Sequence, residues 1–265
     1  MSLQDLLTAV SAGSPEETLA RQVNFERLPQ HIAVIMDGNG RWAAQQHLPR
    51  VEGHRAGIDS VREIVETSAR IGIPVLTLYA FSVENWKRRP KTEVAFLMAL
   101  LKTYLKRELP TFMDNNIRLH YIGRLHELSE DVQETMRWAK EETSRNTGLN
   151  LTLALNYGAR SELADAFNAI VESAAKNGGL EHLRKQAIDE EVIAKHLYTS
   201  QLPDPDLVIR TSGEMRLSNF LLWQVAYSEI YVTETLWPDF KGKDLLEAIA
   251  DFQKRERRFG GIGSS

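Results

Sequence analysis

From Pro29 onward, short apolar runs rich in β-branched residues alternate with longer stretches whose apolar positions recur every three to four residues. The short runs are Ile32–Met36, Ile73–Tyr79, Ile117–Ile122, Leu149–Leu155, Asp206–Arg210 and Ile230–Glu234. The helical periods are Gly53–Arg70, Lys91–Asn115, Glu130–Asn146, Ser161–Lys176, Asp189–Tyr198 and Lys243–Arg258. Such alternation predicts an α/β fold, a single domain with a central, mostly parallel six-stranded sheet flanked by helices. Residues 29–265 form that domain. Residues 1–28, mixed in character and interrupted by Ser14-Pro15, read as a loosely attached helical extension. No internal repeat or long linker divides the chain.

One helix departs from the usual amphipathic pattern. In Lys91–Asn115 the apolar positions (Val94, Phe96, Leu97, Met98, Leu100, Leu101, Tyr104, Leu105 and more) form a stripe wider than one core-facing surface needs. Periodicity alone is satisfied by a well-buried core helix. The wider stripe also fits a helix that lines an apolar tunnel.

Composition narrows the class. A net charge of −4 over 265 residues gives no electrostatic footprint for nucleic acid. The absence of cysteine excludes disulfides, thiolate metal sites and a catalytic thiol. No apolar run reaches membrane-spanning length and the N-terminus lacks signal-peptide character, so a cytoplasmic protein is expected.

Candidate chemistry gathers where strands end. The first strand runs into Asp37-Gly38-Asn39-Gly40-Arg41-Trp42, a strand–turn–helix sequence. Glycines there let backbone approach a phosphate, and the first N–H groups of the helix point at the anion. Asp37 stands at the carboxyl end of a strand, where open α/β sheets bind ligands, and a carboxylate beside a phosphate cradle calls for a divalent cation. Arg50 and His54 lie close enough in sequence to reach the same anion. After the second strand, Phe81-Ser82-Val83-Glu84-Asn85-Trp86-Lys87-Arg88 mixes aromatics with cations, as suits a ligand part apolar and part charged. Asn156–Ser161 is explained by helix capping. Arg210, Arg216, Leu217 and Ser218 surround a third turn, and guanidinium forks match phosphate oxygens bidentately. Glu229, at the mouth of the last strand, needs a cation or an arginine as partner. Two phosphate-binding regions, candidate metal carboxylates and a large apolar helix describe an enzyme joining phosphorylated apolar substrates.

These motifs, in this order, resemble the cis-prenyltransferases, most closely the bacterial undecaprenyl diphosphate synthases, over roughly His31 to Gly261. One departure is Ala159, where the family pattern usually has a second glycine. The resemblance implies consecutive condensation of isopentenyl diphosphate onto an allylic diphosphate such as farnesyl diphosphate, each new double bond cis, with Mg²⁺ as cofactor. It assigns Asp37 as the catalytic aspartate and Asp37 with Glu229 as metal ligands. Gly38, Asn39, Gly40, Arg41, Arg50 and Arg88 match the allylic diphosphate site, and Trp42, His54, Ser82, Val83, Glu84 and Trp86 line the substrates. Asn85 matches a residue proposed to take part in proton removal, a task a pyrophosphate oxygen could perform instead. Arg210, Arg216, Leu217 and Ser218 match the isopentenyl diphosphate site. Arg258 matches a C-terminal motif that completes the partner subunit's site in a homodimer, for which Phe220–Trp223 and Ile230–Val232 offer apolar surface. An apolar product also implies peripheral membrane contact on release. Other classes fit less well. An aspartyl phosphatase of the haloacid dehalogenase type needs a second acid where Asn39 stands, a trans-prenyl synthase needs Asp-Asp pairs that the chain lacks, and a non-catalytic accessory subunit would have lost Asp37 or the arginines.

Overall fold

The structure, a computed structural model, describes residues 13–255 apart from 177, 178, 180 and 182–187. Six strands, β1 His31–Ile35, β2 Val75–Ser82, β3 Arg118–Ile122, β4 Asn150–Tyr157, β5 Leu207–Arg210 and β6 Glu229–Val232, form one sheet in the order β3-β4-β2-β1-β5-β6. Every pairing is parallel. Strand boundaries fall within about two or three residues of the sequence expectation, because tertiary pairing, not local propensity, ends a strand. β2 runs on to Ser82 with a register irregularity between Tyr79 and Phe81, which leaves Ala80 exposed at the strand end.

Side chains alternate between the two faces of each buried strand. On β1, Ile32 and Val34 enter the larger core, while Ala33 and Ile35 join a smaller one with Tyr157, Phe220 and Leu221. The helices are α1 Pro15–Gln22, α2 Asn39–Gln45, α3 Arg50–Ile71, α4 Val83–Arg88, α5 Lys91–Asp114, α6 Glu130–Glu142, α7 Ala159–Lys176, α8 Glu190–His196 and α9 Gly242–Lys254. α2 and α3 approach closely because Gly53 has no side chain: a Cβ there would lie 1.9 Å from the Asn39 carbonyl oxygen. Gly53 therefore serves packing, and its neighbour His54 is carried to the cavity by that contact.

The described part of the N-terminal segment is more firmly built in than its composition suggests. Ala20 and Val23 are buried in the larger core, and Gln253 of α9 donates to the carbonyls of Asn24 (2.7 Å) and Arg27 (3.1 Å). The surface expected for dimer contact is also redrawn. Phe220 and Leu221 are fully buried, with Phe220 stacked on Tyr79 at 4.4 Å, so they cannot form an interface. Leu222, Tyr227 and Ile230 are the exposed apolar residues there, beside β6 at the edge of the sheet. No described helix is long and apolar enough to cross a membrane.

Candidate functional site

A cavity of about 1020 Å³ opens at the carboxyl end of the sheet and runs between α3 and α5. Its mouth is polar, with Asp37, Gly38, Asn39, Gly40 and Arg41 on one side, Arg50, His54 and Arg89 on a second, and Ser82, Glu84, Asn85, Arg210, Ser218 and Asn219 on a third. Its inner arm is apolar, walled by Ile58 and Val61 of α3, by Leu97, Met98, Leu100, Leu101 and Tyr104 of α5, and by Leu78, Ala80, Leu153 and Leu155 of the sheet. The wide stripe on α5 thus faces this arm as well as the core, as a tunnel wall does.

Asp37 is the pivot of the mouth. Gly38 takes φ +106°, a conformation that favours glycine, and its N–H donates to Asp37 Oδ1 at 2.7 Å. Thr211 Oγ1 accepts from the Asp37 N–H at 2.9 Å and donates to its carbonyl at 2.7 Å, which ties β1 to the loop after β5. Arg210 Nη2 donates to Asp37 Oδ2 at 2.8 Å, and Nη1 reaches Ser218 Oγ at 2.8 Å and the Arg216 carbonyl. The Arg210 side chain is 5% exposed, yet its Nε has no partner. Arg41 lies 3.8 Å from Asp37 and donates to the Ser212 carbonyl at 2.9 Å and to its hydroxyl. Ser212, Ser218, Asn219 and Leu221 all adopt positive φ (77°, 50°, 63° and 46°). Backbone strain of this kind is kept where a loop must present groups in one arrangement.

The second wall is a cationic cluster around one carboxylate. Glu93 Oε1 lies 2.8 Å from Arg89, 3.4 Å from Arg50 and 4.0 Å from His54. Burial, reinforced by Arg89 and Arg50, pulls His54 down to about 4, so it is neutral at pH 7. Burial also pulls Arg89 below its ordinary value, against the Glu93 charge that holds it up. The third wall is ordered by Ser82, whose hydroxyl caps α4 by accepting from the Asn85 N–H at 3.1 Å, and by Asn219, which donates to Glu84 at 2.8 Å.

Several residues matched by motif lie elsewhere. Arg88 is exposed and off the cavity; Arg89, one residue on, faces it. The α4–α5 junction turns the chain between the two, so only one guanidinium points inward. Trp42 projects from the far side of α2 and donates to Asp239 at 2.9 Å. Trp86 packs edge-on against Phe81, Val83 is buried beneath Gly158, and Leu217 packs against the smaller core; none lines the cavity. Arg216 is exposed and bonded to Glu214, contributing its carbonyl to Arg210 instead of its charge to the mouth.

Glu229, matched by motif as a second metal ligand, does not meet Asp37 within one chain. Register places it level with Leu207 and Ile32, at the start of β6, five residues before Asp37 along the strand direction and two strands across. At ~3.3 Å per residue that is roughly 16 Å along the sheet, so one chain cannot bring both carboxylates to one ion. Its partner is Arg255, at 2.8 Å. Arg258 lies outside the described residues. Thr211, Ser212 and Asn219 belong to the hydroxyl-rich run after Arg210 that the sequence marks, without a role for each; Glu93 was passed over, although its place four residues after Arg89 carried a signal.

Among the described residues no cluster of three or more His, Asp or Glu could hold a metal by itself. Asp37 nonetheless suits Mg²⁺, which retains water and takes one or two carboxylates together with substrate phosphates. Asp37 lines the mouth, and its partner Arg210 carries a guanidinium of the kind that matches phosphate oxygens.

Similarity to known proteins agrees with this geometry. The profile of a family described as putative undecaprenyl diphosphate synthase matches residues 35–260. An isoprenyl transferase of Geobacter sulfurreducens is 52% identical over 235 residues, 89% of this chain and 94% of that one. One of Heliobacterium mobile is 49% identical over 247 residues, 93% of each. Lavandulyl diphosphate synthase from Lavandula x intermedia, solved with dimethylallyl diphosphate, superposes with a TM-score of 0.83 at 35% identity, covering 88% of this chain and 98% of its own. A probable undecaprenyl diphosphate synthase from Campylobacter jejuni superposes at 0.70 with 36% identity, covering 88% and 99%. A cavity with a cationic mouth and an apolar arm, on this sheet and with these relatives, places the chain in the undecaprenyl diphosphate synthase family of cis-prenyltransferases.

Proposed function

We propose that the mouth holds two diphosphates side by side and the apolar arm holds the growing isoprenoid, farnesyl diphosphate being the starter and isopentenyl diphosphate the unit added. The enzyme elongates prenyl chains in cis; the product proposed is undecaprenyl diphosphate, the lipid-carrier precursor of cell-wall synthesis. The observation that carries the assignment is the division of one cavity into a cationic mouth and an apolar arm.

The allylic diphosphate sits against Gly38, Asn39, Gly40 and Arg41, where the first turn of α2 leaves N–H groups without helical acceptors, and is reached from the opposite wall by Arg50 and Arg89. Arg210 and Ser218 take isopentenyl diphosphate. Charge develops on the leaving diphosphate, so arginines held around it stabilise the transition state more than the ground state. Arg41 and Arg210 are pre-positioned by the strained loop after β5 and need no reorganisation. Asp37 holds Mg²⁺, which when bound neutralises diphosphate charge. The apolar arm keeps water from the allylic centre. Asn85, at the lip of the cavity, orients the group that loses a proton; an amide is too weak a base to take it, and a diphosphate oxygen does so.

The reading places the protein in the cytoplasm, meeting the membrane when the product leaves. A homodimer formed through the β6 edge, with Arg258 reaching the partner's mouth, completes it. Incubation with farnesyl and isopentenyl diphosphates and Mg²⁺ is expected to give products spaced by one isoprene unit, and none when the metal is chelated. Absence of any elongated product would refute the reading.

A further inference from the structure

The cavity is sized for the start of the reaction and not for its end. An apolar cavity of about 150 Å³ admits benzene, or roughly 25 Å³ for each non-hydrogen atom. On that scale the 1020 Å³ present here holds about 40 atoms. Farnesyl and isopentenyl diphosphates together have about 38, and undecaprenyl diphosphate alone has about 64. The pair of starting substrates fills the space, and a long product needs more.

The closed end of the arm shows which wall gives way. Along α5 the lining residues run from Leu97 to Tyr104 and then stop, and along α3 they run from Arg50 to Val61 and stop. Beyond that level, α3 and α5 are clasped by Arg62 and Glu108 at 2.6 Å. Tyr104 is therefore the last side chain of α5 on the arm. It is 6% exposed, its ring meets Phe112 edge-on at 6.0 Å, and its hydroxyl has no hydrogen-bond partner. The other cavity-lining residues with an unpartnered buried polar atom, Asn39 and Arg210, belong to the phosphate mouth. A desolvated hydroxyl without a partner makes the resting packing of Tyr104 unfavourable, and moving the ring breaks no hydrogen bond.

We propose that Tyr104 is the movable floor of the apolar arm and a determinant of product length. The resting position closes the arm once the starter has gained its first unit, and further elongation displaces the ring. This inference rests on the proposed function of the cavity. The test is product sizing with farnesyl and isopentenyl diphosphates, wild type beside Tyr104→Ala, Tyr104→Trp and Tyr104→Phe. With the floor removed, Tyr104→Ala should shift the distribution upward by at least one isoprene unit; Tyr104→Trp should shift it downward. Tyr104→Phe keeps the ring and removes the unpartnered hydroxyl, so it should fold, melt at a higher temperature and accumulate more short intermediates when isopentenyl diphosphate is limiting. Unchanged lengths in active, folded Ala and Trp variants, with no build-up of intermediates in the Phe variant, overturn the inference alone. A wild-type enzyme that makes no elongated product overturns the proposed function, and this inference with it.

Discussion

Two adjacent arginines, Arg88 and Arg89, separate what a motif suggests from what the fold presents. Motif order puts Arg88 at the allylic diphosphate, whereas the structure leaves Arg88 in solvent and turns Arg89 into the cavity. Arg89 is 16% exposed, bonded to Glu93 at 2.8 Å and to His54 Nε2 at 3.3 Å, with its guanidinium 5.8 Å from the centre of the Phe81 ring. A cation so placed makes charge-assisted hydrogen bonds worth about 1.5–3 kcal/mol each. At about 1.4 kcal/mol per decade, losing one costs roughly ten- to a hundredfold. Arg89→Gln should therefore raise KM for the allylic diphosphate by about that factor. Arg88→Gln should stay within about threefold, as an exposed side chain without a fixed partner contributes little. Because Arg89→Gln also frees Glu93 to repel the diphosphate, the double variant Arg89→Gln/Glu93→Gln is the necessary control. The cation itself matters if the loss persists there. Glu93 keeps Arg50 at 3.4 Å, so the single variant should lose only a few degrees of melting temperature. The assay is steady-state kinetics on proteins matched by thermal unfolding. A large loss in Arg88→Gln with Arg89→Gln near wild type would refute the reasoning.

Three further outcomes are expected. Asp37→Ala should lower turnover by about 4 kcal/mol or more in barrier, several orders of magnitude, while the protein stays folded; near-normal turnover would end the assignment. His31 is buried, donates from Nδ1 to the Pro203 carbonyl (2.7 Å) and accepts at Nε2 from the Thr77 hydroxyl (2.7 Å), and burial pulls it down to about 4. A histidine depressed in the folded state contributes stability that is present above pH 6.5 and lost as pH falls towards 4. Unfolding free energy should thus drop by about 2 kcal/mol between pH 7 and 5 from this group, and a pH-independent urea midpoint in that window would contradict it. Finally, inactive Asp37→Ala and Arg258→Ala proteins should regain activity when their subunits exchange, since one hybrid site has both groups intact; confirmed heterodimers without recovery would mean that each subunit builds its own site.

The sheet and the end of it that carries the cavity were legible in the sequence because both follow from local rules. Alternating apolar runs and helical periods leave little choice but parallel strands with helices on both faces, and the turn at Asp37-Gly38 follows the first strand directly. The Arg210 turn was found the same way, as a strand end followed by cations and hydroxyls. Tertiary structure alone decided which of those side chains meet. Arg88 and Arg89 have the same chemistry, and the path of the α4–α5 junction selects between them. Trp42 sits in the right motif on the wrong side of a short helix, because Asp239, almost two hundred residues away, holds it there. Glu229 and Asp37 belong to opposite ends of one sheet, since Glu229 opens its strand and Asp37 follows its own, and register sets them apart. Ala20 and Val23 become core residues only because α9 returns to cover them. Periodicity reports whether a residue is buried; its partner is set by packing between segments far apart in the chain, and no local pattern encodes that.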